Sequence, residues 1–264
     1  MNQINLLFIG DVIGNPGRRA VEKFLPALKA EHKIEMVCAN VENLAAGFGV
    51  SEGTLDELKA AGVDVFSSGN HIWDKKEVGG LWGKFPTLMR PANYPSGTAG
   101  RGELIFNTPS GVSVGVVNVL GRVFFANPID DPFPCSKKAV AALKAKGASV
   151  VCVDFHAEAT SEKNALVRYL DGEASVIVGT HQHVPTADAR VSAQGTAYIT
   201  DLGLTGAYGS VIGMKTENAL DRLVRGMPTR FEVSEEEVEF WALLVDVDVK
   251  TGKALKVEQI RRVL

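Results

Sequence analysis

SVVCVDFHAEATSEKNALVRYLDGEASVIVGTHQH, residues 149–183, decides the fold. Two short apolar runs, SVVCVDFH (149–156) and SVIVGTH (175–181), flank SEKNALVRYL (161–170), whose apolar residues recur at helical spacing. The order strand, helix, strand is the building unit of an α/β sheet. Upstream the same alternation appears. INLLFIG (4–10) reads as a buried strand, RRAVEKFLPALKAEH (18–32) as a helix carrying Pro26, and MVCAN (36–40) as a second strand. A short helix over 54–61 follows, with Thr54-x-x-Glu57 as its capping box and Gly62 as its stop, and then the strand VDVFSSG (63–69). The Pro/Gly-rich stretch 84–134 holds a hairpin, ELIFNT and VSVGVVNV around Pro109-Ser110-Gly111. KKAVAALKAKG (137–147) is helical, TAYITD (196–201) is a strand, and FWALLVDVDV (240–249) turns at Thr251-Gly252-Lys253 into a closing hairpin. Alternation followed by hairpins predicts an α/β fold, one domain over residues 1–264, with a mixed sheet or two packed sheets.

Composition narrows the function. Of 264 residues 45% are hydrophobic and 22% charged, enough apolar material for a packed core and too much for disorder. Lys plus Arg number 28 against 31 Asp plus Glu, so the chain lacks the basic excess that gripping a long nucleic acid requires. A small phosphorylated ligand stays open, because a bound metal supplies positive charge locally. No apolar run is long enough to span a bilayer, and MNQINLLFIGD begins with no basic leader; a cytoplasmic location is expected. Cys38, Cys135 and Cys152 lack metal or redox spacing, and Cys38 and Cys152 lie in apolar runs as buried thiols would.

Chemistry gathers just past the carboxyl ends of five predicted strands. Asp11 follows the first; Asn40, Glu42 and Asn43 end the second; Asn70 and His71 follow the third. His156 closes the fourth, and His181 and His183 follow the fifth. Open α/β sheets place ligand sites at this edge. One Asp after a strand is ordinarily a cap or turn former, and one His a hydrogen-bonded structural residue. Five strand ends together point to metal. Asp11, Glu42, Asn43, Asn70, His156, His181 and His183 make seven nitrogen and oxygen donors without a cysteine. One tetrahedral zinc needs four ligands at most. Seven fit two ions sharing a carboxylate and a water, a pair about 3.5–4 Å apart that clamps a displacement at phosphorus. Such donors suit Fe, Mn or Zn better than Mg or Ca.

The blocks GDVIGNPGR (10–18), NVENLAAGFG (40–49), GNHIWDKKE (69–77), RPANYP (90–95), DFHAEATSEK (154–163), GTHQHVPTAD (179–188) and TDLGLTG (200–206) carry a resemblance. Together they resemble the YmdB-type branch of the calcineurin-like metallophosphoesterases, from the first strand to about residue 230. The resemblance implies a four-layer αββα sandwich, a dinuclear iron-type centre in which Mn or Zn can stand for Fe, and hydrolysis of 2′,3′-cyclic nucleotides. Where the wider superfamily opens with Asp-x-His, this chain has Asp11-Val12-Ile13, and Glu42 replaces the usual bridging Asp. By the branch pattern Asp11, Glu42, Asn43 and His183 hold one metal. Glu42 bridges to a second held by Asn70, His156 and His181, and His71 donates a proton to the leaving ribose oxygen. A metal-bridging hydroxide is then the nucleophile, and a positioned imidazolium contributes about 10²–10⁴-fold.

Other patterns compete. Gly49-Val50-Ser51-Glu52-Gly53 matches a serine-hydrolase elbow, but no strand runs into Ser51, which suits a helix start better. Gly10, Gly14 and Gly17 sit where a phosphate loop would, without its spacing. A metal-binding regulatory or RNA-associated protein with weak phosphoesterase activity is the alternative. Arg90, Asn93 and Arg122 are candidates to meet substrate from the 84–134 stretch, although Arg90 and Asn93 would equally fix the RPANYP turn. The expected partner is a small phosphodiester or cyclic nucleotide, with no membrane and no stable nucleic-acid complex; a homo-oligomer is compatible with an enzyme of this size.

Overall fold

The computed structural model describes residues 2–264; Met1 lies outside them. The first half runs β1 (Gln3–Ile9), β2 (Asp11–Val12), α1 (Gly14–His32), β3 (Ile34–Asn40), α2 (Glu52–Ala61), β4 (Val65–Ser67), a single 3₁₀ turn (Asn70–Trp73), α3 (Val78–Leu81), β5 (Glu103–Asn107) and β6 (Ser113–Leu120). The second half runs α4 (Pro132–Ala145), β7 (Val150–His156), α5 (Thr160–Leu170), β8 (Val176–Thr180), β9 (Arg190–Val191), β10 (Ala197–Ile199), β11 (Leu204–Ala207), α6 (Thr216–Arg225), β12 (Val238–Asp248) and β13 (Ala254–Val263).

Two mixed sheets result. One is ordered β2-β11-β12-β1-β3-β4 with β13 on β12, the other β5-β6-β7-β8-β10-β9. Strand alternation sorts the apolar residues into three cores. On β1, Leu6 and Phe8 point between the sheets, while Leu7 and Ile9 face α1 and α2. On β7, Val150 and Cys152 join the middle core, while Val151, Val153 and Phe155 meet α4 and α5. Helix, sheet, sheet, helix is the four-layer αββα sandwich, with both sheet faces covered as parallel strands require. β1, β3 and β4 are parallel, as are β6, β7, β8 and β10.

Several local expectations shift. α1 begins at Gly14 rather than residue 18 and continues through Pro26. The capping box of α2 is Ser51 with Thr54, three residues earlier than Thr54 with Glu57, so Ser51 is a helix cap and not a nucleophile. The β5–β6 and β12–β13 hairpins form where expected. β11 and α6 lie where the pattern gives no element. Leu220, Leu223 and Val224 of α6, with Met227 beyond it, are exposed, so the helix has no buried apolar stripe to follow. Among the described residues no helix is long and apolar enough to cross a membrane. All three cysteines are free, and Cys38 and Cys152 are buried.

Candidate metal centre and its cavity

Each sheet delivers its own kind of donor to the shared carboxyl edge. The β1–β3–β4 side brings oxygen: Asp11 from the β1–β2 corner, Glu42 and Asn43 after β3, Asn70 after β4. The β7–β8 side brings nitrogen: His156 as the last residue of β7, His181 and His183 just past β8. Three of them meet around His156 Nε2. Glu42 Oε1 is 3.0 Å away, Asn70 Oδ1 3.1 Å and His181 Nδ1 3.1 Å. Asp11 Oδ1 lies 3.9 Å from both His156 Nδ1 and His183 Nε2.

Whether these residues fit metal is decided by atoms left without partners. Asp11 Oδ1, Glu42 Oε1 and Asn43 Oδ1 are buried and accept no hydrogen bond. Glu42 Oε1 approaches His156 Nε2 without hydrogen-bond alignment. Buried oxygens are nearly always satisfied, since an orphan costs about 1–3 kcal/mol. Three at one spot, beside a Glu42–His156–His181 trio whose ligand atoms lie within 4.8 Å of one another, fit a cation-binding pocket. The donor set, imidazole with carboxylate and amide, suits a transition metal.

Surrounding residues hold these donors in the required form. Thr180 Oγ1 donates to Asp154 Oδ1 (2.7 Å) and so accepts from His156 Nδ1 (2.9 Å), which leaves Nε2 for the cluster. Asn40 Nδ2 braces the same Asp154 at 3.2 Å. His183 donates through Nδ1 to the Ile212 carbonyl (3.0 Å), again freeing Nε2. The remaining oxygens of the carboxylates take backbone N–H groups: Asp11 Oδ2 from His181 (3.1 Å) and Glu42 Oε2 from His71 (2.9 Å). Asn43 donates through Nδ2 to the Gly47 carbonyl at 2.9 Å, aligning its amide so that Oδ1 is left over. Gly69 makes room: a Cβ there would sit 2.3 Å from the His156 ring and 2.4 Å from Glu42 Oε2.

The His181-Gln182-His183 turn is strained. His181 (φ 100°) and His183 (φ 63°) both adopt the left-handed region, at a cost of about 1–3 kcal/mol each. A buried ion pair clamps it. Lys163 Nζ reaches Asp201 Oδ2 (2.6 Å) and Gln182 Oε1 (3.2 Å), while Asp201 Oδ2 accepts the Gln182 N–H (3.0 Å).

Electrostatics follow from burial and crowding. Burial pushes the Asp11 carboxyl up to about 6 against the pull of the two imidazoles. Burial alone would also raise Glu42, but the positive charge of His156 overrides it and holds the carboxyl at about 2. Burial likewise opposes charge on His156, yet Glu42 and Asp11 together raise it to about 9. His181 falls to about 3, through burial first and then repulsion by charged His156. Divergent titration of neighbouring groups is common at functional sites.

The cluster opens into a cavity of about 650 Å³ lined by Glu42, Asn43, His71, His181 and His183, with an apolar wall from Ile212, Met214, Leu223 and Phe231. His71 stands at its edge, its Nδ1 2.8 Å from Asp74 Oδ2 and its ring against Phe48. Phe125 packs on His181, ring centroids 4.9 Å apart. Arg90, Asn93 and Arg122 do not line the cavity. Arg90 gives its donors to the carbonyls of Pro91, Thr98 and Ala99. Asn93 bridges Leu120 and Asp130, and Arg122 pairs with Asp131 at 2.8 Å. Asp154, Thr180 and Lys163 escape a reading by strand ends because each lies within an element, and Asp74 because it follows a 3₁₀ turn; Asp201, just past β10, stands at a strand end and is missed by that reading all the same. The α6 wall has no signal beyond a charged, amphipathic stretch.

Comparison with known proteins supplies the family. The chain matches the YmdB-like protein family over residues 7–260. A Bacillus subtilis protein named 2′,3′-cyclic-nucleotide 2′-phosphodiesterase is 44% identical over 257 residues, 97% of this chain and 96% of that one. A solved structure from Thermus thermophilus superposes with a TM-score of 0.91 at 41% identity, covering 98% of this chain and 99% of that one. Another, described as a novel phosphatase from Mycoplasma pneumoniae, also gives 0.91 at 36% identity, covering all of this chain and 94% of that one. By this match and these relatives the chain belongs to the YmdB-like protein family.

Proposed function

We propose that the protein is a dinuclear metal-dependent phosphodiesterase acting on 2′,3′-cyclic nucleotides, working as one domain over residues 1–264. The chain is a phosphoesterase by its relatives. The finer assignment is supported by one observation above all, the three orphaned buried oxygens of Asp11, Glu42 and Asn43.

Asp11, Glu42, Asn43 and His183 would hold one ion, and Asn70, His156 and His181 the other, with Glu42 shared between them. Iron leads among the candidates, with manganese and zinc as substitutes. When bound, the ions supply Lewis-acid chemistry: they withdraw charge from the phosphoryl oxygens and make water nucleophilic at neutral pH. The protein contributes orientation and a proton. His71 keeps its Nδ1 against Asp74 (2.8 Å), which leaves Nε2 for the cavity, and in the imidazolium form Nε2 would carry the proton to be transferred. Transfer of that proton to the departing ribose oxygen prevents an alkoxide from having to leave bare. Glu42 fixes the same residue from behind, by accepting the His71 backbone N–H.

Metal analysis of the purified protein, paired with hydrolysis of 2′,3′-cAMP before and after chelation, tests this. Two ions per chain and chelator-sensitive turnover are expected. A metal-free chain that added Mn cannot reload, or hydrolysis that survives chelation, would overturn it.

A further inference from the structure

We propose that Phe231 and Arg222 form a nucleobase platform on the apolar wall of the cavity, so that substrate is selected by its base as well as its phosphate. This deepens, and rests on, the phosphodiesterase assignment. The polar residues of the cavity suit a cyclic phosphate and a pentose, whereas the wall of Ile212, Met214, Leu223 and Phe231 offers such groups no hydrogen-bonding side chain. A flat, aromatic, weakly polar group is what that wall suits.

Arg222 lies over the Phe231 ring, 5.3 Å from its centroid. Arg225 on the same helix is paired with Asp221, whereas Arg222 meets no carboxylate among the described residues. An arginine plane stacked on an aromatic offers a π-face for any base and N–H donors at its edge. The platform is also held in place. Glu232, next to Phe231, receives the Lys215 N–H on its carbonyl (2.8 Å) and donates its own to Asn218 Oδ1 (3.3 Å), tying the strand of chain to α6. The wall is continuous with the donor cluster, since Ile212 accepts the hydrogen bond from His183. Met214 packs so close to Gly47 that a Cβ there would lie 2.9 Å from its methyl group. Stacking recognises bases with little regard to which base it is, so low discrimination among adenine, guanine, cytosine and uracil follows.

The test compares 2′,3′-cAMP with methyl riboside 2′,3′-cyclic phosphate, which lacks a base. In the wild type KM is lower for 2′,3′-cAMP; Phe231→Ala and Arg222→Ala narrow the KM ratio between the two substrates, about tenfold for Phe231 by the usual worth of base–aromatic stacking. Arg222 is exposed, so its replacement leaves the fold intact and guards against misreading a damaged Phe231 variant. Adenosine alone binds the wild type in calorimetry and not Phe231→Ala. Equal KM values for the two substrates in the wild type, or adenosine binding that ignores both substitutions, would overturn the platform. Phe231-dependent adenosine binding without hydrolysis of either substrate would leave the platform standing and remove the phosphodiesterase assignment instead.

Discussion

The two sheets meet at one edge but bring different chemistry to it. The β1–β3–β4 side supplies Asp11, Glu42, Asn43 and Asn70, all oxygen donors; the β7–β8 side supplies His156, His181 and His183, all nitrogen donors. The oxygen side is poor in partners, with three buried atoms unsatisfied. The nitrogen side is braced from behind by Thr180, Asp154, Asn40 and the Lys163–Asp201 clamp. Neither side has a complete coordination set. The site therefore exists only where the sheets pack, and their shared core of Phe8, Cys38, Cys152 and Val178 sets its geometry.

Glu42→Ala breaks the comparison most severely, because Glu42 is the oxygen residue that touches the imidazole side most closely. We expect metal content to fall below two ions per chain and turnover to drop beyond about 10³-fold, more than the loss of one transition-state donor costs. His71→Ala is the matching control at the cavity edge. It should keep both ions in elemental analysis and lose about 10²–10⁴-fold in kcat. Equal metal loss in the two variants would abolish the distinction between holding metal and moving a proton.

Asp154→Asn sharpens the contrast from the nitrogen side. It weakens the hydrogen bond that sets the His156 tautomer, and metal affinity measured by chelator competition should fall about 10–100-fold. An unchanged affinity would mean the brace is structural only.

The smallest effect is in protons. His156 rises from its ordinary 6.5 to about 9 in the metal-free chain, so at pH 7.5 it carries a proton that metal must displace. Calorimetric titration with Mn in buffers of different ionisation enthalpy should report the His156 proton released at pH 7.5, beside any lost by metal-bound water, with the His156 share fading above pH 9. Because the folded value lies above the ordinary one, the stabilisation this charge gives the metal-free chain is full below 6.5 and is lost as pH rises through about 9. Asp11, raised from 3.8 to about 6, works in the same direction at lower pH.

Much of this arrangement was legible in the sequence, for a physical reason. A buried strand is a run of apolar residues that stops abruptly, and the residue after it sits at a sheet edge, so Asp11, Asn70, His156 and His181 could be located by counting alone. The four layers were not readable from alternation alone, since runs such as LLFI on β1 do not say which face meets a helix and which meets another sheet. Asp154 and Thr180 lie inside strands and look like core until their partners are known. Arg90 and Asn93 attract a functional reading as polar residues in a Pro-rich loop; in the structure Arg90 donates to carbonyls of its own loop, and Asn93 ties that loop to Leu120 and Asp130. The α6 wall was silent because its apolar residues face outward.

The position of β12 has a consequence in time. It is the antiparallel neighbour of β1 and also pairs with β11, which holds β2 and Asp11, yet it is formed from residues 238–248. A chain emerging from its amino end has every donor residue in hand by His183, but β1 is then paired only with β3, and β11 and β12, which tie Asp11 into the sheet, are still to come. Metal loading at the proposed site would therefore wait on nearly the whole polypeptide.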